Sequence, residues 1–274
     1  MSVVPLAGVI GHPIGHSRSP ALHGHWLRQY GVDGHYVPLD IHPTDLAECL
    51  RSLPRMGFRG ANVTIPHKEA ALRLADDVTD LARRIGAANT LTFHDGRLQA
   101  DNTDAFGFIA NLRDGCADWD PRSGPAVVLG AGGAARAVVV GLLDAGAPEI
   151  RVLNRTRARA DALVALDPAR VASGDWAAQP EALSDAALLV NTTSLGMTGQ
   201  PPLVLDLSSL PLSAVVTDIV YTPLETALLG AARARGCAVV DGLGMLLHQA
   251  APGFERWFGL RPQVTPALRA AVLA

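Results

Sequence analysis

Lys68 lies where a surface lysine is an unfavourable choice. It follows Pro66, at which a helix is expected to begin, and the positive end of a helix dipole disfavours a cation there. The strand predicted before it ends in Asn62 and Thr64. The same dipole favours the uncharged amine, a form that a general acid/base must be able to adopt. Lys68 is therefore a candidate catalytic residue, and the alternative is a solvated surface charge.

Asp104, in "ADNTDAFGFIANL", is a carboxylate that could pair with Lys68. It opens a predicted helix with Phe106, Ile109 and Leu112 at its apolar positions. Aspartate is also favoured at helix starts for structural reasons alone. Spacing along the chain does not show whether the two side chains meet, so both interpretations of Asp104 stay open from the residues.

A glycine-rich turn in "VVLGAGGAARAVV" has the pattern of a dinucleotide-binding site. Gly130-x-Gly132-x-x-Ala135 follows an apolar strand and opens an amphipathic helix. Glycines permit the sharp turn and let backbone N–H groups approach a pyrophosphate, which the positive end of the helix also stabilises. The alternative is a strand-to-helix turn without a ligand. The second strand that follows at the expected distance favours the dinucleotide.

That second strand ends in "NRTRAR", residues 154–159, and not in the acidic residue that accepts ribose hydroxyls. Guanidinium groups hold a 2′-phosphate, which a carboxylate would repel. Arg155 and Arg159, with Asn154 and Thr156 as hydrogen-bond donors, therefore predict NADP as the cofactor. We expect these arginines in a first helical turn, where they are unfavourable unless an anion binds. A solvated basic helix start is the alternative.

The segment "GHPIGHSRSPALHGH", residues 11–25, holds two serines and the four histidines His12, His16, His23 and His25. No H-E-x-x-H motif or cysteine cluster accompanies the histidines, so we predict no metal site. Ser19 and Pro20 suit the N-cap and first position of a helix over the following residues.

Composition indicates the protein class that must position these side chains. The 274 residues are 49% hydrophobic and 5% aromatic with 27 glycines, which is typical of a globular α/β protein. A net charge of −3 excludes the global positive field of a nucleic-acid or anionic-membrane binder. The three cysteines form no C-x-x-C pair, which favours a reducing cytoplasm. We see no targeting or transmembrane segment.

Short apolar runs alternate with helical patterns through most of the chain, which indicates βαβ units and a parallel sheet. "NTLTFHDGRLQADN" differs, because its Asp95-Gly96 pair predicts a hairpin. A polar Pro/Gly-rich segment at 118–125 precedes the start of a new unit. The predicted strands are 6–10, 36–39, 61–64, 126–129, 150–153, 187–190, 214–218 and 238–240.

The chain resembles the shikimate dehydrogenases, which reduce 3-dehydroshikimate to shikimate in aromatic amino-acid biosynthesis. One motif alone would be weak, but nine occur in the family's order between residue 8 and about residue 258. They are "GHPIGHSRSP", "NVTIPHKE", "GAANTL", "DNTDAFGF", "GAGGAARA", "NRTRAR", "NTTSLGM", "DIVYTPLET" and "DGLGMLLHQA".

The resemblance implies a role for individual residues. Lys68 and Asp104 become the catalytic pair, and the two serines with Tyr221 bind the substrate carboxylate. From the residues alone, Asn89 could equally be a turn residue and Gln249 an exposed helix position. The implied substrate-binding residues are Ser17, Ser19, Asn62, Thr64, Asn89, Tyr221 and Gln249. The implied cofactor-binding residues are Gly130, Ala131, Gly132, Gly133, Ala134, Asn154, Arg155, Thr156, Arg159, Thr192, Ile219 and Gly242.

The resemblance also implies a two-domain α/β fold. Residues 1–104, completed by 239–274, form an α/β substrate domain with a mainly parallel sheet, and residues 105–238 form a Rossmann-type NADP-binding domain. Both ligands are expected in a cleft between the domains, with hinge closure as a hypothesis. The partner is a small molecule, not nucleic acid or membrane, and the protein is expected to be a monomer or a homodimer.

Two residues depart from the family pattern, Ala105 and Ala227, where glycine and proline are common. They put in doubt only the local backbone near two helix starts. The nearest rival function is a quinate/shikimate dehydrogenase paralogue that uses NAD, against which "NRTRAR" argues. A non-catalytic NADP sensor would have no reason to keep Lys68, Asp104 and the serines together, and a metal hydrolase lacks ligands.

Overall fold

The chain divides into two compact units in the computed structural model, which describes residues 4–274. The first unit takes the chain up to Thr103 and adds Leu246–Ala274, while the second is Asp104–Met245. The predicted domains placed Asp104 and 239–245 with the first part, and the contact-defined units place them with the second. The domain boundaries themselves stay a prediction.

The first unit contains one sheet and the helices around it. Its strands are β1 (Leu6–Gly11), β2 (His35–Asp40), β3 (Phe58–Val63), β4 (Asp77–Val78), β5 (Thr90–His94) and β6 (Arg97–Asp101). Its helices are α1 (Ser19–Tyr30), α2 (Leu46–Ser52), α3 (Lys68–Leu74), α4 (Asp80–Ile85) and α11 (Pro266–Leu273). Helix α10 (Leu243–Phe258) begins in the second unit and continues into the first.

The strand order in the first sheet is β2-β1-β3-β5-β6-β4. The pairing is parallel except where the hairpin β5–β6 forms and where β5 joins β3. Asp95 and Gly96 have φ values of 49° and 75°, the two positive angles of a type I′ turn. The predicted hairpin is therefore confirmed, whereas the two-residue strand β4 was not predicted because so short a pairing leaves no periodic signal.

The second unit alternates strands and helices. Its strands are β7 (Ala126–Leu129), β8 (Ile150–Asn154), β9 (Val171–Asp175), β10 (Leu188–Asn191), β11 (Val215–Asp218) and β12 (Ala238–Val240). Its helices are α5 (Asp104–Gly115), α6 (Gly133–Ala145), α7 (Arg157–Val164), α8 (Gln179–Leu183) and α9 (Ala227–Arg235). β9, with the sequence VASGD, was not predicted because polar and glycine residues weaken its strand pattern.

The second sheet is parallel throughout, with order β12-β11-β10-β7-β8-β9. Renumbered from β7, this is the 3-2-1-4-5-6 order of dinucleotide-binding folds. The order reverses between β7 and β10, and ligands bind at such a switch point, beyond the carboxyl ends of the strands. Apolar residues cover both faces of the sheet, as parallel strands require. The predicted fold class, α/β with a Rossmann-type second part, is confirmed.

The departures from the family pattern leave the helix starts close to their predicted places. Helix α5 begins at Asp104, as predicted, with Ala105 buried. Helix α9, predicted near Glu225, begins at Ala227, where the Thr226 hydroxyl accepts a hydrogen bond from the Leu229 N–H. Separately, no helix within residues 4–274 is both long enough and apolar enough to cross a membrane.

Candidate active site

The sheet of the first unit collects the predicted substrate residues at one edge. β1 and β3 are parallel neighbours, so the loops that follow Gly11 and Val63 leave the sheet on the same side. β5 runs the other way and pairs Thr90 with Asn62, which brings the start of β5 to that edge. Asp101 pairs with Thr90, so the end of β6 lies there too.

Lys68 is the first residue of α3, confirming its predicted place at a helix start, and its side chain is half-buried. Its carbonyl accepts a hydrogen bond from the Ala88 N–H at 2.9 Å, so its backbone lies beside the segment that leads into Asn89. Lys68 is also the only lysine among the 274 residues. Every other residue counted as lysine or arginine is an arginine. Arginine does not deprotonate in proteins, whereas lysine can exchange a proton.

Asn62, Asn89 and Gln249 meet in one buried polar cluster, although the last two are 160 residues apart in the chain. The Asn62 Nδ2 donates to the Asn89 carbonyl at 3.2 Å. The Asn89 Nδ2 in turn donates to Gln249 Oε1 at 3.1 Å. Asn89 is therefore a buried member of this cluster and not a simple turn residue, and Gln249 is not at an exposed helix position. Three adjacent amides supply both donors and acceptors, which suits recognition of several hydroxyls.

Thr103 anchors the chain just before Asp104. The Thr103 N–H donates to Asn89 Oδ1 at 2.8 Å, and its hydroxyl donates to the Gln249 carbonyl at 2.8 Å. Asp104 itself, the first residue of α5, belongs to the second unit and is buried. Its carboxylate complements the positive end of the helix.

Ser17 and Ser19 lie together at the start of α1, but one prediction about them is wrong. Ser19 is the first residue of the helix and not its N-cap, a position taken by Arg18 without a capping side chain. The Ser17 hydroxyl accepts a hydrogen bond from the Ser19 N–H at 3.3 Å instead. The serine two residues earlier therefore accepts from an N–H at the helix start, and residue 18 already has helical backbone angles.

The four nearby histidines have separate surroundings. His12 Nδ1 contacts Asp40 Oδ1 at 2.7 Å on an exposed surface. His23 is fully buried in an aromatic cluster, where burial lowers its pKa to about 3. Among the described residues, 4–274, no group of three or more His, Cys, Asp or Glu side chains is arranged to hold a metal ion.

The glycine loop of the second unit lies at the switch point between β7 and β10. Gly130 has a φ of 107°, and a Cβ there would lie 2.6 Å from Thr192 Oγ1. Gly132 precedes α6, and a Cβ there would meet no atom within 4 Å, so the space in front of the helix is open. The first intrahelical bond runs from the Arg136 N–H to the Gly132 carbonyl, which leaves the N–H groups of the first turn for a ligand. This loop fits a pyrophosphate.

The predicted phosphate arginines follow β8, with one correction. Helix α7 begins at Arg157, so Arg159 is in its first turn but Arg155 precedes the helix. Both side chains are exposed, and within the described part of the chain neither forms an ion pair. Arg157, by contrast, forms ion pairs with Asp161 at 2.8 Å and with Asp175 at 3.2 Å.

The turn between β8 and α7 is shaped by Asn154, whose Nδ2 donates to the Thr156 carbonyl at 2.8 Å. Two uncommitted guanidinium groups beside the glycine-loop strand fit the extra phosphate of NADP.

Thr192, Ile219, Tyr221 and Gly242 lie on loops at the same edge of the second sheet. Asp218, at the end of β11, accepts hydrogen bonds from Asn191 Nδ2 at 2.9 Å and from the Thr226 hydroxyl at 2.8 Å, and burial raises the pKa of its carboxyl group. The Ile219 N–H donates to the Asn191 carbonyl at 3.1 Å. A Cβ at Gly242 would lie 2.5 Å from the Ile219 backbone, so only glycine fits there. Tyr221 is half-buried.

Sequence reasoning missed three hydroxyl residues that complete the first cluster. They are Tyr36, Thr90 and Thr103, all buried. Thr103 lies inside the quoted "DNTDAFGF" motif, and that was the available signal. Tyr36 and Thr90 are strand residues of ordinary pattern, and only the pairing of the strands brings them to the amides.

Comparisons with known proteins agree with this architecture. Residues 9–91 match the family model described as the shikimate dehydrogenase substrate binding domain, and residues 242–273 match the shikimate 5'-dehydrogenase C-terminal domain. A protein of Cereibacter sphaeroides named "Shikimate dehydrogenase (NADP(+))" is 62% identical over 99% of this chain and 98% of its own length.

Two solved structures have the same fold over nearly the whole length of both chains. Shikimate 5-dehydrogenase from Thermus thermophilus, in complex with NADP(H) and shikimate, is 40% identical with a TM-score of 0.87, covering 99% of each chain. Quinate dehydrogenase from Corynebacterium glutamicum, in complex with NAD, is 34% identical with a TM-score of 0.90, covering 98% of this chain and 99% of its own. The resemblance inferred from nine motifs is thereby confirmed: the chain belongs to the shikimate dehydrogenase family.

Proposed function

We propose that the protein catalyses the reversible NADPH-dependent reduction of 3-dehydroshikimate to shikimate, with Lys68 as the general acid/base paired with Asp104. The observation that carries the proposal is the single lysine of the chain, at the start of α3 and beside the segment leading into the buried amide cluster. The reaction belongs to the shikimate pathway of aromatic amino-acid biosynthesis.

Substrate binding is assigned to the edge of the first sheet and to one residue of the second unit. The cluster of Asn62, Asn89 and Gln249 supplies donors and acceptors for ring hydroxyls. Thr64, the residue immediately after β3, adds a hydroxyl at the same edge. Ser17, Ser19 and Tyr221 hold the substrate carboxylate through neutral O–H donors. Hydroxyl and amide donors fix orientation, which is what an active site must do before a proton moves.

Proton transfer is assigned to Lys68. When bound, NADPH supplies the hydride that converts the ketone carbon into a secondary alcohol. Negative charge grows on the ketone oxygen, and the Lys68 ammonium donates a proton to it, which leaves a neutral amine. The Asp104 carboxylate orients the ammonium and accepts a hydrogen bond from a neighbouring substrate hydroxyl. In the reverse direction the neutral amine removes the alcohol proton.

NADP binding is assigned to the second unit. The backbone of Gly130–Ala134 holds the pyrophosphate at the start of α6, and Thr192, Ile219 and Gly242 line the same edge of the sheet. Arg155 and Arg159, with Asn154 and Thr156, hold the 2′-phosphate. Because these guanidinium groups form no ion pair within residues 4–274, an added phosphate meets positive charge that is not already neutralised.

A second candidate is a quinate dehydrogenase that uses NAD, because a neighbour of that name has the same fold with a TM-score of 0.90. The two functions separate in one set of assays. Initial rates are measured with shikimate and with quinate, each with NADP and with NAD. We expect the highest kcat/KM for shikimate with NADP. The highest value for quinate with NAD would overturn the proposal, and no turnover in any combination would favour a non-catalytic NADP-binding protein.

For the location we propose the cytoplasm, since the three cysteines are free thiols, as a reducing compartment allows. The proposed partners are small molecules. The chain acts as a monomer or as a homodimer in this proposal, and sedimentation equilibrium distinguishes the two.

A further inference from the structure

Tyr36 is a buried phenol that the proposed chemistry does not use. It lies on β2, and its O–H donates to Asn62 Oδ1 at 2.7 Å. The Ser19 hydroxyl neighbours the same phenol, where it partly opposes the rise in the Tyr36 pKa that burial causes. Tyr36 therefore lies next to two residues assigned to the substrate, Ser19 and Asn62.

The Asn62 amide has most of its hydrogen-bonding capacity committed within the protein. Its oxygen accepts from Tyr36, and its nitrogen donates to the Asn89 carbonyl at 3.2 Å. A carbonyl can only accept, so the NH₂ group must face Asn89 and the oxygen must face the phenol. The same nitrogen also donates to the Thr90 hydroxyl at 3.5 Å, so one lone pair of the Asn62 oxygen remains for a ligand, in a direction set by these bonds.

The Tyr36 ring packs against two other rings, which also neighbour each other with centroids 5.8 Å apart. The His23 ring stacks on it with centroids 3.8 Å apart and planes at 6°. Trp257 lies tilted against it at 6.1 Å. A buried ring stacked in this way keeps its hydroxyl in one place, so the Asn62 oxygen has a fixed donor.

We propose that Tyr36 is a positioning residue for substrate binding, which acts by fixing the Asn62 amide in the orientation that receives a ring hydroxyl. This inference rests on the proposed function. Without the phenol, the buried Asn62 oxygen has one hydrogen-bond partner fewer and the amide can rotate. The substrate must then order the amide as it binds, which weakens its affinity.

Tyr36→Phe removes the O–H and keeps the stacked ring. We expect the KM for shikimate to rise about 2–12-fold, the size of one neutral hydrogen bond. The kcat and the KM for NADP should stay within about twofold of wild type, because binding is lost equally in the ground state and the transition state. Tyr30→Phe is the matched control. Within residues 4–274 its phenol accepts from the Gln263 N–H alone, at 3.1 Å and at the far end of α1, so all constants should stay at wild-type values.

A double-mutant cycle separates positioning from a general structural role. If Tyr36 acts through Asn62, the variant with both Tyr36→Phe and Asn62→Ala has the same KM for shikimate as Asn62→Ala alone. The inference would be overturned if the two substitutions raised the KM by independent factors that multiply in the double variant. An unchanged KM in Tyr36→Phe, or a fall in its kcat as large as the expected rise in KM, would also overturn it. Wild type that does not turn over shikimate would contradict the proposed function and this inference together. Wild-type turnover with any of the other adverse results contradicts the inference alone.

Discussion

A Cβ atom added at Gly130 would lie 2.6 Å from the Oγ1 of Thr192, where the loops after β7 and β10 meet. Thr192 cannot move away easily, since its hydroxyl donates to the Leu129 carbonyl at 2.6 Å and its N–H donates to the same carbonyl at 2.9 Å. The close contact at the switch point therefore depends on glycine at this position.

Gly130→Ala should weaken NADP binding at least tenfold, because alanine at a φ of 107° is strained and its methyl group displaces the Thr192 loop. Gly236→Ala is the matched control, with a φ of 92° but no atom within 4 Å of the added Cβ. Both variants should lose stability, and only Gly130→Ala should lose cofactor affinity. Fluorescence titration with NADPH measures the affinity, and equal affinities in the two variants would contradict the assigned loop.

Arg155→Ala combined with Arg159→Ala should raise the KM for NADP by about 100-fold or more, since two charge-assisted bonds to a phosphate are lost and each is worth about 1.5–3 kcal/mol. The KM for NAD should change little, because NAD lacks the 2′-phosphate. Arg122→Ala serves as the control, since its guanidinium pairs with Asp120 on an exposed loop of the same unit. Equal losses for both cofactors would show that Arg155 and Arg159 do not distinguish them.

His23 should make the protein less stable in acid. Its ring is fully buried, neither ring nitrogen has a hydrogen-bond partner within residues 4–274, and burial lowers its pKa from 6.5 to about 3. The neighbouring Asn62 side chain opposes this shift without reaching hydrogen-bond geometry. The unfolded chain therefore binds a proton that the native state does not, so stability is full above pH 6.5 and falls as the pH drops toward 3.

His23→Phe removes this contribution while keeping a ring against Tyr36. Between pH 7 and pH 4.5 the free energy of unfolding should fall by about 2–3 kcal/mol less in the variant than in wild type. His35→Gln, at an exposed position of β2, should leave the difference in place. Urea unfolding at several pH values measures the slopes, and parallel curves for wild type and His23→Phe would refute the assignment.

The sequence predicted local features well and the assembly of the substrate cluster poorly. Lys68 could be found because it violates a local rule, an unfavourable cation at a helix start, and the Asp95-Gly96 turn because its backbone requires two positive φ values. Residue counts give a further signal at Lys68. It is the one lysine of the chain, and all the other lysine or arginine positions hold arginine.

Asn89 and Gln249 remained ambiguous for a physical reason. Each amide finds its partner through strand pairing and helix packing across 160 residues, and no periodicity along the chain records such a contact. The prediction of Ser19 as the N-cap is wrong by one residue. Proline is accepted at either of the first two helical positions, so a serine before proline can be the N-cap or the first helical residue. Tyr36 carries no local signal, because a tyrosine on a strand is ordinary. It meets Asn62 only because β2 and β3 both pair with β1 in the sheet.

The most direct test of the catalytic assignment is kcat for shikimate oxidation by Lys68→Ala and Lys68→Arg, measured at saturating shikimate and NADP with both ligands shown to bind. Alanine cannot carry the proton, and arginine keeps the charge but does not deprotonate. We predict that kcat falls about 100–10,000-fold in both variants with KM values within a few-fold of wild type. A kcat near the wild-type value in either variant would contradict the role of Lys68 as the general acid/base.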